Sequence, residues 1–144
     1  MKTFIILILI VVAGWYLWTH YGQRRTDVAA TAGASASQSC ASAAAAAADT
    51  WGSGVGRFAN PPYDTSAWDD FRSRVEDQAR RAQEKCLCGD TACTTAKNAM
   101  SDLRSLVAEM DTSLRSGSPP PSDLVQRQEA IDNAVTAARD QAAH

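Results

Sequence analysis

The sequence predicts an all-α protein: an N-terminal transmembrane helix, an Ala/Ser-rich stalk, and a small disulfide-stapled domain of three antiparallel helices. Three observations predict it. Apolar side chains recur at helical spacing from Trp68 to Ala142, the segment 3-TFIILILIVVAGWYLW-18 is apolar and uncharged, and three of the four cysteines fall within 85-KCLCGDTACTT-95. The expected division is residues 1–21 as a signal anchor, 22–62 as linker or stalk, and 63–144 as a helical domain outside the cytoplasm.

The anchor rests on Phe4, Ile5, Leu7, Leu9 and Val11, followed by Trp15, Tyr16, Trp18 and Tyr21, whose amphipathic rings suit headgroup depth. A cleaved signal peptide is the rival reading. Val11-Val12-Ala13 is a weak cleavage site, but the apolar run continues past it to Trp18, Ala34-Ser35-Ala36 lies too far downstream, and no lipobox cysteine follows. Lys2 on one side nearly balances Arg24 and Arg25 on the other, so charge alone does not orient the span. The cysteines do: four in so small a domain suit an oxidising compartment, which places the N-terminus in the cytoplasm and the remainder in the periplasm.

The run 28-VAATAGASASQSCASAAAAAADT-50 shows no apolar stripe, and its expected role is a spacer whose alanines can be shortened without loss of stability. A short helix capped by Ser37 or Ser39, packed into the domain, is the alternative. Gly52, Gly54, Gly56, Pro61 and Pro62 mark loop, and Trp51, Phe58 and Tyr63, which have no periodic partner there, are expected to fold back onto the domain.

Three helices follow. The first starts at a Thr65 or Ser66 cap and aligns Trp68, Phe71, Val75, Ala79, Ala82 and Cys86 on one face. Gly89-Asp90 breaks it. The second aligns Ala96, Met100, Leu103, Val107, Met110 and Leu114 and stops at Gly117, and 118-SPPPSD-123 then enforces a turn. The third is capped by Ser122 or Asp123 and presents Leu124, Ile131, Val135, Ala138 and Ala142. Such spacing is that of a helical hairpin or coiled coil. Asp70–Arg74, Glu76–Arg80, Asp77–Arg81 and Asp111–Arg115 are spaced to pair across one helical turn.

Cys40, Cys86, Cys88 and Cys93 read as disulfide partners. Three connectivities are open; Cys86–Cys93 is favoured because both lie on core faces, leaving Cys88 for Cys40. The C-x-C-x4-C spacing with no nearby histidine is unlike a structural zinc site, Cu(I) binding would want added Met or His ligands, and no C-x-x-C redox pair is present. Neither a metal nor another cofactor is expected, with a cysteine-based metal-handling protein as the alternative reading.

Catalysis needs an acid–base pair or an activated nucleophile. The histidines are His20, at the expected membrane face, and His144, at the end of the sequence. The carboxylates read as caps and ion pairs, and Gly52-x-Gly54-x-Gly56 follows no strand and lacks the Lys-Ser or Lys-Thr of a phosphate loop. No catalytic residue is expected, and the chain reads as non-enzymatic. Net charge is −2 with both signs interspersed, so nucleic acid is not an expected partner.

The segment from Lys85 to Cys93, followed by an amphipathic helix, resembles a C-x-C-x4-C helical-hairpin motif of uncharacterised exported proteins and lipoproteins of myxobacteria and relatives, over residues 66–115. The resemblance implies a disulfide-stapled helical module; the apolar anchor and missing lipobox depart from it. The anchor-plus-helical-domain plan is also similar to phage inner-membrane spanins, which implies a lysis or membrane-fusion factor as a further alternative. The expected function is a membrane-anchored structural or protein-interaction module of the bacterial envelope, an accessory subunit or scaffold. Its expected partners are the membrane, another envelope protein or complex, and a second copy of the chain.

Overall fold

The computed structural model describes residues 35–144. The expected anchor at 1–21 and the first part of the expected stalk, 22–34, lie outside the described residues. All regular structure among the described residues is helical: α1 over residues 35–54, running into a 3-10 turn at Val55–Phe58, then α2 (Thr65–Lys85), α3 (Thr91–Arg115) and α4 (Leu124–Ala142). The all-α class holds: residues 63–144 carry the three predicted helices, and among the described residues a fourth precedes them.

The added helix is the Ala/Ser run. Ser37, Cys40, Ala41, Ala44, Ala47, Ala48 and Trp51 are buried, so residues 35–58 belong to the core and are no spacer. Ser37, Ala41, Ala44, Ala48, Trp51, Val55 and Phe58 follow one another at alternating steps of four and three, the spacing of a buried helix seam. Large side chains meet this seam from the neighbouring helices: Trp68 and Phe71 of α2 pack on Trp51, and Val135 of α4 shares a groove with Ala45 and Ala48. Small residues on one helix against large ones on its neighbours allow close approach of the axes. Trp51 stacks on Phe71 with centroids 5.9 Å apart and meets the edge of Trp68 at 6.4 Å; Phe58 meets the edge of Trp68 at 5.1 Å. Trp51 and Phe58 therefore have partners, on α2 rather than within their own segment.

Contacts along the helices give the topology. The start of α1 meets the end of α2 at Cys40 and Cys86, and its end meets the start of α2 at Trp51 and Phe71. Trp68 near the start of α2 reaches Asp111 near the end of α3, and Arg127 at the start of α4 reaches Glu109 of α3. Ala45, Ala48 and Gly52 of α1 share a groove with Asp132, Val135 and Arg139 of α4, which closes the ring. Each helix runs antiparallel to the next, as short connections favour. The predicted stripes of α2 and α3 are buried throughout, and on α4 Ile131, Val135, Ala138 and Ala142 are buried while Leu124 is half-buried.

Helix ends follow local chemistry. Asp64, not Thr65 or Ser66, caps α2, its carboxylate accepting from the Ala67 N–H at 3.0 Å. Asp90 caps α3 in the same way through the Cys93 N–H at 2.8 Å. After Arg115 the chain leaves the helix through Gly117 at φ 68°, with the Ser118 N–H bonded to the Ser113 carbonyl and the Gly117 N–H to that of Leu114, a Schellman closure. Gly54 is helical rather than loop, and a Cβ there would run into the Phe71 ring. Of the expected helix-surface pairs, Asp111–Arg115 forms; Arg80 instead bridges Asp77 and Glu84, and Arg115 also reaches Asp69.

Candidate functional site

The start of α1, the end of α2 and the start of α3 meet at one end of the bundle, and all four cysteines gather there in two pairs at disulfide distance. Cys40 stands with Cys86, Cα atoms 4.8 Å apart, and Cys88 with Cys93, 5.8 Å apart. The favoured Cys86–Cys93 and Cys40–Cys88 pairing is not the one found. Cys86 is the C-cap of α2 and points to the buried face of α1, where Cys40 is fully buried. Cys88 lies two residues beyond that cap and meets Cys93 in the first turn of α3.

The two pairs have different surroundings. Cys40 and Cys86 are buried, although Cys86 also lines the groove at Cys88. Cys88 is half-buried and borders an open groove of about 380 Å³ whose walls also include Cys93, Thr94, Lys97 and Asn98. Asp90 completes a cluster: one ligand atom each from Cys88, Asp90 and Cys93 lies within 4.8 Å of the others. The Asp90 carboxylate accepts from the Cys93 N–H and from the Ser37 hydroxyl of α1, and these bonds, the first foremost, hold its pKa below the usual carboxylate value. Ser37 is also 3.9 Å from the Cys88 sulfur.

Ser37 and Asp90 were legible only as helix-end residues. The D-x-x-C spacing marks an N-cap, but nothing in the sequence brings Ser37 to Asp90, 53 positions away.

A second polar feature lies nearer the other end. Asp111 accepts from Trp68 Nε1–H at 2.8 Å and from Arg115, and pairs with Arg72. Burial works to raise its pKa, but the Trp68 and Arg115 hydrogen bonds and the Arg72 charge together outweigh it and leave the group lowered. Its environment is structural: it satisfies an indole buried in the core.

The chain matches no known protein family, no curated protein and no solved structure. Among the described residues no helix is long and apolar enough to cross a membrane; residues 3–18, where the span is expected, lie outside them.

Proposed function

We propose that the chain is a membrane-anchored, non-catalytic module of a bacterial envelope, holding a stapled helical domain in the periplasm as an accessory subunit or scaffold for another envelope protein. One observation carries this reading: every cysteine of the chain has a partner at disulfide distance. Full pairing suits a protein folded where thiols are oxidised. The uncharged apolar segment 3–18 with its aromatic collar supplies the means of anchoring. The resemblance of residues 66–115 to exported C-x-C-x4-C proteins agrees with it.

The polar groups support a non-catalytic role. Asp64 and Asp90 are caps, Asp111 serves Trp68, and Glu109 pairs with Arg127 across α3 and α4. Leu87 and Val125 are the exposed large apolar side chains among the described residues, and they offer a partner isolated contacts rather than a ready groove.

The test is fractionation of cells expressing the full chain with a C-terminal tag. The chain should resist high-salt extraction of membranes, retain Met1 or Lys2 at its N-terminus, and expose its C-terminal domain to protease only after the outer membrane is opened. A maleimide added to intact cells should modify none of its cysteines until reductant is supplied. Release of the chain by salt, or four reactive thiols without reductant, would overturn the reading.

A further inference from the structure

We propose that the Cys88–Cys93 pair is a reducible latch over a Zn²⁺ site, with Cys88 Sγ, Cys93 Sγ and the Asp90 carboxylate as the protein ligands. The site is independent of the membrane anchor, and Cys40–Cys86 takes no part in it.

The geometry carries it. Tetrahedral zinc with two thiolates and a carboxylate needs donor separations of about 3.5–3.8 Å, given Zn–S near 2.3 Å and Zn–O near 2.0–2.2 Å. The three groups already lie within 4.8 Å of one another in a stretch of six residues, so opening the sulfur pair and a small side-chain adjustment suffice. Asp90 is held from two sides, one oxygen by the Cys93 N–H and the other by Ser37 from α1. An N-cap needs only the first of these bonds. The second gives the carboxylate the outer support typical of a metal ligand, and each oxygen keeps a lone pair for the ion. The groove beside Cys88 gives entry and leaves the fourth position to water or to an external donor. Cys93 sits at the positive end of α3, one turn before Lys97, and both favour its thiolate once the disulfide opens.

The chemistry balances with a dithiol reductant. Its thiolate attacks one sulfur of the Cys88–Cys93 bond, and the resulting mixed disulfide is resolved by the donor's second thiol. Two electrons and two protons reach Cys88 and Cys93, and the donor leaves as a disulfide. Zn²⁺ then binds as both thiol protons are released. Selectivity between the two pairs comes from access: Cys86 also lines the groove, but Cys40 and Cys86 are both buried, whereas Cys88 is the one half-buried cysteine and its sulfur is the one a reductant reaches first.

The experiment uses the full chain in detergent, treated with limiting dithiol, with Zn²⁺ alone and Co²⁺ alone as probes. Two thiols should appear before the other two, and in that state one Zn²⁺ should bind per chain while the oxidised chain binds none. Co²⁺ should show a thiolate charge-transfer band. Asp90→Asn keeps a good cap but loses the ligand charge, so its Zn²⁺ affinity should fall at least about tenfold, and Ser37→Ala should lose about tenfold through the lost support of Asp90. Release of all four thiols together, no Zn²⁺ uptake by the two-thiol form, or an unchanged affinity in Asp90→Asn would each overturn the proposal.

Discussion

Replacing Cys40 and Cys86 together by alanine should destabilise the bundle about twice as much as replacing Cys88 and Cys93. Alanine is the suitable replacement because the first pair is buried, where a serine hydroxyl would add an unsatisfied polar group. In the chain-entropy description, a cross-link stabilises by restricting the unfolded chain, and its effect grows with the logarithm of the loop it closes. Cys40–Cys86 joins positions 46 apart and Cys88–Cys93 positions 5 apart. The corresponding stabilisations are about 4 and about 2 kcal/mol at 25 °C. For a folded unit of the size of residues 35–144, 1 kcal/mol moves the melting temperature by about 4 °C, so the expected drops are roughly 15–20 °C and roughly 8–10 °C. The larger is a substantial part of a stability of order 5–15 kcal/mol. Thermal unfolding followed by far-ultraviolet circular dichroism measures both. In excess reductant the two variants and the parent should converge to within the small packing loss of the missing sulfurs. An equal or larger drop for the Cys88/Cys93 variant would refute the assignment of the main staple to Cys40–Cys86.

Ala44→Leu should cost about 1–3 kcal/mol in urea unfolding by overfilling the α1 seam, while the same change at exposed Ala46 should be nearly neutral; equal tolerance at both would mean that α1 is a spacer after all. Gly54→Ala should destabilise by about 1–3 kcal/mol because of the Phe71 ring, and Gly56→Ala, which meets no atom within 4 Å, should not. Asp111→Ala strands the buried Trp68 indole N–H and should cost about 1–3 kcal/mol, with a change in near-ultraviolet dichroism. Because the folded-state pKa of Asp111 is lowered, its stabilisation is present above the ordinary carboxylate range and is lost as pH falls through the folded value, so parent and Asp111→Asn melting temperatures should draw together in acid. Asp132 has the opposite sign: burial first, and then the Asp49 charge, raise its pKa, so Asp132→Asn should melt higher than the parent at neutral pH and lose that advantage as pH falls through the folded value towards the ordinary one.

For α2 to α4 the sequence was a sufficient guide. Trp68 to Cys86 and Ala96 to Leu114 stand out because large apolar side chains alternate with charged ones, and that contrast survives unchanged as burial. Gly117 was equally legible, since the left-handed turn after a helix selects glycine. The fourth helix was hidden for a related reason: alanine occupies both the buried positions 44 and 47 and the exposed position 46, so its periodicity carries no hydrophobic contrast. Trp51, Val55 and Phe58 continue the same seam and were the available signal. Cysteine content alone pointed to pairing, but the partners depended on which helices became neighbours. Cys86 meets Cys40 only because α1 packs antiparallel to α2, and Ser37 meets Asp90 for the same reason. Local pattern specifies where a helix forms and which face it buries. Which faces meet is settled by the fit of small residues against large ones across the bundle, a property that no single segment contains.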